Sequence, residues 1–173
     1  MTVSFPFFCF FIGVDSFTIL FICKCNLALG ELMNYVIVYW SRYGNGKKVV
    51  NYLAGSIEKK KGKVQIFKTD EVDPTNLPEA DVYVFSTPTE AFGVQREMKK
   101  FMKNLEGLDQ KKYGIVNTHG MKKSVLPKME KILSKKNMVM VAGVDFEVGA
   151  GVKTGDGLKD GWQAEIDAFA KKL

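Results

Sequence analysis

The run "NYVIVYW" (34–40) is almost unbroken in β-branched and aromatic side chains, the pattern of a strand buried on both faces. The next segment changes period. In "KKVVNYLAGSIEKKKG" (47–62), Val49, Val50, Leu53, Ala54 and Ile57 fall on one helical face, and Gly62 follows the lysine-rich end as a stop. The alternation then repeats. "KVQIFKT" (63–69) reads as a strand near a sheet edge, "DEVDPTNLPEA" as a proline-bearing crossover, and "DVYVFST" (81–87) as a second buried strand. "VQREMKKFMKNLEG" predicts a helix with Met98, Phe101, Met102 and Leu105 on one face, its methionines serving as core packing, and "KYGIVNT" (112–118) predicts the next strand. "KSVLPKMEKILSKK" predicts a helix beginning near Ser124 with Pro127 in its first turn, and "MVMVAGVDFEV" (138–148) a fifth strand. "DGWQAEIDAFAKKL" closes the chain as an amphipathic helix with Trp162, Ile166 and Phe169 facing inward. Five strands alternating with helices require parallel crossovers, so the expected class is α/β, doubly wound.

The segment before Asn34 does not fit this alternation. "FPFFCFFIGVDSFTILFICKC" (5–25) is nearly all apolar and holds all three cysteines, Cys9, Cys23 and Cys25. It has the length of a membrane span, but Asp15 near its centre and Pro6 near its start make it a marginal one. No basic residue precedes Lys24 and "LALGELM" is a poor cleavage site, so a secretory signal fits less well. The adopted division is an apolar extension, residues 1–33, from a start assigned upstream of Met33, followed by one domain over 34–173. Membrane contact is expected only if 5–25 belongs to the native protein, and a cytoplasmic location otherwise. Two close thiols without further ligands are a weak metal signal, and no metal site is assigned.

Composition adds little. The chain has 173 residues, of which 46% are hydrophobic and 25% charged, and a formal net charge of +6. That permits attraction to nucleic acid, anionic membrane or acidic protein without requiring any of them. The run Lys59 to Lys61 is read as a solvated helix end rather than a nucleic-acid patch, and no nucleic-acid partner is expected.

In open α/β sheets ligands sit beyond the carboxyl ends of the strands, where strand order reverses. The loops to inspect are therefore "SRYGNGK" (41–47), "TPTEAFG" (87–93) and "THGMKK" (118–123). The first offers glycines that let backbone N–H groups converge, and a helix whose N-terminus favours an anion. It matches neither the nucleotide P-loop spacing nor G-x-G-x-x-G, and a plain strand-to-helix turn is the competing reading. The glycine-rich "VGAGVKTGDG" (148–157) reads as a flexible surface loop near the same end of the sheet. Trp40 reads as core, because its strand is buried.

A buried strand, then Ser-x-x-Gly-Asn-x, then a helix resembles the phosphate loop of the flavodoxin family, usually Ser/Thr-x-Thr-Gly-Asn-Thr. "FSTPTEAFGVQREMKKFM" is similar to the family's second flavin loop, and "VNTHG" stands where its third loop follows strand four. The resemblance covers about residues 34–173. It implies a flavodoxin-like three-layer sandwich with a five-stranded parallel sheet in the order 2-1-3-4-5, and flavin mononucleotide (FMN) as cofactor. Ser41, Arg42, Tyr43, Gly44, Asn45 and Gly46 would surround the phosphate, with Arg42 and Lys47 adding charge. Thr87, Pro88, Thr89 and Glu90 would line one edge of the ring, Phe92 or Tyr43 would stack on it, and Gly93 would allow close approach. Thr118, His119 and Gly120 would meet its other side, His119 as a donor or in an incidental role. Tyr43 and Gly46 stand where the family has threonines, which removes two hydroxyl contacts. The implied function is a redox protein, either an electron carrier or a small FMN-dependent oxidoreductase, exchanging electrons with a partner protein or a small molecule. The alternative is a flavodoxin-like module without flavin that serves regulation or protein interaction. A phosphoacceptor domain of similar topology fits less well, since Asp70 and Asp81 form no acidic cluster after the first strand.

Overall fold

Along β1 (Asn34–Tyr39) the side chains alternate between two cores: Tyr35, Ile37 and Tyr39 enter one, Val36 and Val38 the other. The same division runs through β3 (Val82–Glu90), where Val82 and Val84 oppose Tyr83 and Phe85, and through β5 (Lys112–His119), where Val116 opposes Tyr113 and Ile115. A strand with two apolar faces needs a layer on each side. Those layers are α1 (Asn45–Glu58) with α4 (Trp162–Ala170) on one face, and α2 (Arg96–Lys103) with α3 (Leu126–Leu133) on the other. The remaining strands are β2 (Lys63–Lys68), the two-residue β4 (Gly93–Val94) and β6 (Val139–Glu147). This computed structural model describes residues 32–120 and 124–173. The apolar segment 5–25, its cysteines and the readings attached to them lie outside the described residues, as do Met121, Lys122 and Lys123. Among the described residues no helix is long and apolar enough to cross a membrane.

The five long strands are parallel in the order β2-β1-β3-β5-β6, which is the expected 2-1-3-4-5 once the short β4 is set aside. β2 is the edge strand its alternation implied, with Lys63, Gln65 and Lys68 exposed. The third strand runs on to Glu90 rather than ending at Thr87, because Thr89 and Glu90 pair with Val94 and Gly93 in a tight antiparallel hairpin. Pro88, Thr89 and Glu90 therefore sit on a strand end, not in a loose loop. The hairpin tip, Ala91 and Phe92, has positive φ at both residues (45° and 59°), the backbone of a two-residue turn that usually takes Asn and Gly.

α2 and α3 are shorter at their ends than the periodicity suggested, and local bonds mark where they start. Gln95 caps α2 by accepting the Met98 N–H through Oε1 at 2.9 Å, and Ser124 Oγ accepts the Leu126 N–H at 3.1 Å at the start of α3. α1 begins two residues earlier than expected, at Asn45, directly after the turn. It is fixed to α4 through Asp167. Ser56 Oγ donates to Oδ1 at 2.7 Å and Tyr52 Oη donates to Oδ2 at 3.2 Å. The serine hydroxyl, and secondarily the phenol, hold the Asp167 carboxyl below the usual carboxylate range against the opposing effect of burial. Trp40 packs partly buried against the α2–α3 core, as expected for a residue ending a buried strand.

Candidate functional site

β1 and β3 lie side by side while the chain leaves them in opposite directions, so a crevice opens beyond their carboxyl ends. The turn after β1 builds one wall. Gly44 has φ +92°, a conformation that costs glycine nothing and other residues about 1–2 kcal/mol. Its N–H donates to Ser41 Oγ at 3.1 Å, which leaves the serine hydroxyl hydrogen for another acceptor. The first bond inside α1 runs from the Lys48 N–H to the Gly44 carbonyl at 2.9 Å. The N–H groups of Asn45, Gly46 and Lys47 precede it and have no acceptor within the helix. A Cβ on Gly46 would stand 3.4 Å from Ser41 Cβ and Oγ and 3.6 Å from the Trp40 carbonyl. These are ordinary van der Waals contacts, and without a Cβ the glycine leaves that space open to the cleft.

Asn45 does something the sequence did not reveal. It is 5% exposed, its Nδ2 donates to the Val152 carbonyl at 2.7 Å, and its Oδ1 accepts the Gly157 N–H at 2.9 Å. Both groups of the amide are engaged by residues 149–157, so the side chain staples the first residue of α1 to that segment, with one Nδ2 hydrogen left over. The glycine-rich segment is correspondingly braced rather than loose. The Gly149 N–H donates to the Gly157 carbonyl at 2.8 Å, Lys48 pairs with Asp156, and Gly155, at φ +83°, sits where a Cβ would lie 2.8 Å from the Tyr43 carbonyl. Val148 and Val152 from this segment form an apolar wall.

The second wall is the end of β3. Arg42 Nε meets Glu90 Oε1 at 3.0 Å across the opening, and the guanidinium lies 5.7 Å from the Trp40 ring centroid. Thr89 Oγ1 donates to Asn117 Oδ1 at 3.1 Å. Asn117 is fully buried and passes its Nδ2 to Asp145 Oδ1 at 3.0 Å, and Ser124 Oγ donates to the same oxygen at 3.0 Å. With its hydrogen drawn inward, the Thr89 hydroxyl offers the cleft an acceptor. Thr118, near the end of β5, and Gly120, just after it, complete the enclosure.

The result is a cleft of about 200 Å³ that gathers Ser41, Arg42, Tyr43, Asn45, Gly46, Pro88, Thr89, Glu90, Thr118 and Gly120 from the three expected loops. Six expected residues are not in its lining. Gly44 acts from behind as the turn. Lys47 is exposed on α1, outside the cleft. Thr87 is buried, with its hydroxyl donated to the Pro88 carbonyl at 3.3 Å. Phe92 projects at the hairpin tip, 56% exposed, and Gly93 borders a different groove, so of the two candidate stacking rings Tyr43 is the one at the cleft. His119 is outside the lining, and its Nδ1 is buried without a hydrogen-bond partner among the described residues. Val148 and Val152 line the cleft without having been anticipated; the glycine run marked their segment as a loop but not as a wall. Among the described residues no three metal-ligating side chains come together.

The fold and cleft define a doubly wound α/β protein with a cleft at the switch point of its sheet, beside the N-terminus of α1. The chain belongs to the flavodoxin family, whose model, Flavodoxin, matches residues 37–150. An archaeal flavodoxin structure superimposes with a TM-score of 0.65 at 19% identity, covering 80% of this chain and 94% of that one. A flavodoxin of Streptococcus pneumoniae gives 0.66 at 19%, covering 81% and 97%. Rubredoxin oxygen:oxidoreductase from Desulfovibrio gigas gives 0.69 at 16%, covering 81% of this chain but 35% of that much longer one. At these identities the structures speak for the fold. No curated protein matches the sequence.

Proposed function

We propose that this chain binds FMN in the cleft and transfers electrons, as a carrier or as a small FMN-dependent oxidoreductase exchanging electrons with a partner protein or a small molecule. The observation that carries the reading is the left-handed turn at Gly44, which opens the N-terminus of α1 into a cleft shared with Thr89, Glu90, Thr118 and Gly120. Membership of the flavodoxin family supports it. A cytoplasmic location belongs to the same reading.

The residues suit a phosphate monoester carrying a flat ring. The free amides of Asn45, Gly46 and Lys47 and the spare hydroxyl hydrogen of Ser41 converge on one anion position, where the helix end adds about 0.3–1 kcal/mol and up to about 2 kcal/mol when partly buried. These groups replace the two missing threonine hydroxyls. Arg42 is held by Glu90 and contributes less than its charge suggests. Tyr43 offers an aromatic face, Val148 and Val152 exclude water, and Thr89 accepts a hydrogen bond from a ring N–H. When bound, FMN supplies the electron storage that none of these side chains possesses.

The test is titration of the flavin-free protein with FMN, followed by flavin fluorescence. Quenching with one-to-one stoichiometry, and weaker binding of riboflavin by at least about tenfold for want of the phosphate, are expected. Unchanged fluorescence at excess protein would overturn the reading and leave the flavin-free interaction module. Steady-state turnover with a quinone and a nicotinamide donor separates oxidoreductase from carrier.

A further inference from the structure

On the far side of the β3–β4 hairpin from the cleft, a groove of about 480 Å³ runs between α2 and α3. Its rim is Lys99, Lys103, Lys128, Lys131, Lys135 and Lys136. Helical spacing explains the cluster: Lys99 and Lys103 are four apart on α2, while Lys128, Lys131 and Lys135 follow one face of α3 into the single turn Ser134–Lys136. No ion pair among the described residues involves any of the six. Lys128 Nζ is committed to the Phe92 carbonyl at 2.6 Å, and the acidic residues of the two helices, Glu97 and Glu130, do not line the groove. The floor is aliphatic, formed by Val94 and the half-buried Ile132.

We propose that this groove is the docking site for an acidic amphipathic segment of a partner protein, with apolar side chains on Val94 and Ile132 and carboxylates among the surrounding lysines. Like charges gathered on one rim repel, and carboxylates entering between them reverse that term. Charge alone would suit any polyanion, but an aliphatic floor favours a ligand with an apolar stripe. Among the described residues no aromatic side chain lines the groove, so single-stranded nucleic acid finds none there on which to stack its bases. Glu90 lines the cleft while Gly93 and Val94, three and four residues later in the same hairpin, line the groove. A docked partner therefore lies one hairpin from the cleft. The docking itself does not depend on the cofactor reading.

The experiment titrates the full chain with a fluorescein-labelled helical peptide of about sixteen residues, roughly four turns, with leucines on one face flanked by glutamates. It is repeated with and without FMN, so that failure of cofactor binding and failure of docking are told apart. Saturable binding is expected, weakened at least about tenfold by Lys131→Glu with Lys135→Glu, and changed less than about twofold by Lys59→Glu with Lys60→Glu at the C-terminal end of α1. Ile132→Ser is expected to weaken binding while leaving its salt dependence unchanged. Backbone amide shifts in the unmodified protein, expected at residues 93–103 and 128–136, keep the test valid if a variant misfolds. The proposal is overturned if the peptide does not bind, if a scrambled peptide of equal charge binds equally, if the α1 lysine variant loses as much, or if single-stranded DNA competes more tightly than the peptide at physiological salt.

Discussion

Replacing Asn45 with alanine is the sharpest probe of the site's construction, because the side chain's two hydrogen bonds span 107 and 112 residues of sequence. Each is worth about 0.5–1.5 kcal/mol net, and leaving a buried partner such as the Gly157 N–H unsatisfied costs about 1–3 kcal/mol. The expected loss is about 2–4 kcal/mol, which for a domain of this size lowers Tm by about 6–12 °C. Calorimetry of the flavin-free protein measures it, and hydrogen exchange adds a local signature: the Gly157 amide loses protection, while those of β1 and β3 change only with global stability. If the variant melts within about 1 °C of the parent and Gly157 exchanges as before, the staple is wrong. If stability stays and only FMN affinity falls, Asn45 is a phosphate ligand after all, as the sequence pattern alone suggested.

Ala91→Asn is expected to raise stability by about 0.5–1 kcal/mol in a thermal melt, since asparagine tolerates the positive φ that alanine holds at this hairpin tip. Burial, with a smaller contribution from Glu130, pushes the Tyr113 phenol up to about 12. The folded state therefore holds this proton more tightly than the unfolded chain, whose tyrosines titrate near 10. That stability is fully present below about pH 10 and drains away as pH rises toward 12, so Tyr113→Phe should flatten part of the alkaline loss in denaturant melts; an unchanged slope would refute it. Glu90→Gln is expected to change stability by less than about 0.5 kcal/mol, because the pair with Arg42 is half exposed. In FMN-loaded protein it should raise the midpoint potential, read by spectroelectrochemistry, by removing a negative charge from the cleft.

The sheet was legible because each strand carries its own evidence: two-sided runs such as "NYVIVYW" and an alternating edge at "KVQIFKT" set the order once crossovers are right-handed. Helix ends were less legible, since Gln95 caps α2 and Ser124 accepts the Leu126 N–H from just ahead of α3 through bonds that composition does not announce. At the site, Gly44 and Ser41 were readable as turn chemistry. The role of Asn45 was not, because its partners are backbone groups of a segment more than a hundred residues away, and no local pattern encodes that meeting. The same holds for Phe92: an aromatic residue in a flavin-type loop looks like a stacking ring, yet the two-residue turn throws it outward. The Asn117–Asp145–Ser124 relay was invisible because it depends on the register of β5 against β6.

The apolar wall from Val148 and Val152 sets a schedule for how the protein becomes competent. Ribosomes deliver β1 and its turn early, but the staple's partners and the wall arrive only with residues 148–157, after the last strand. A nascent chain can build much of the sheet before it can close the cleft. On the proposed reading, cofactor capture would then report that synthesis has passed residue 157, and a product truncated before it, however well packed, would be left without that stabilisation and open to proteolysis.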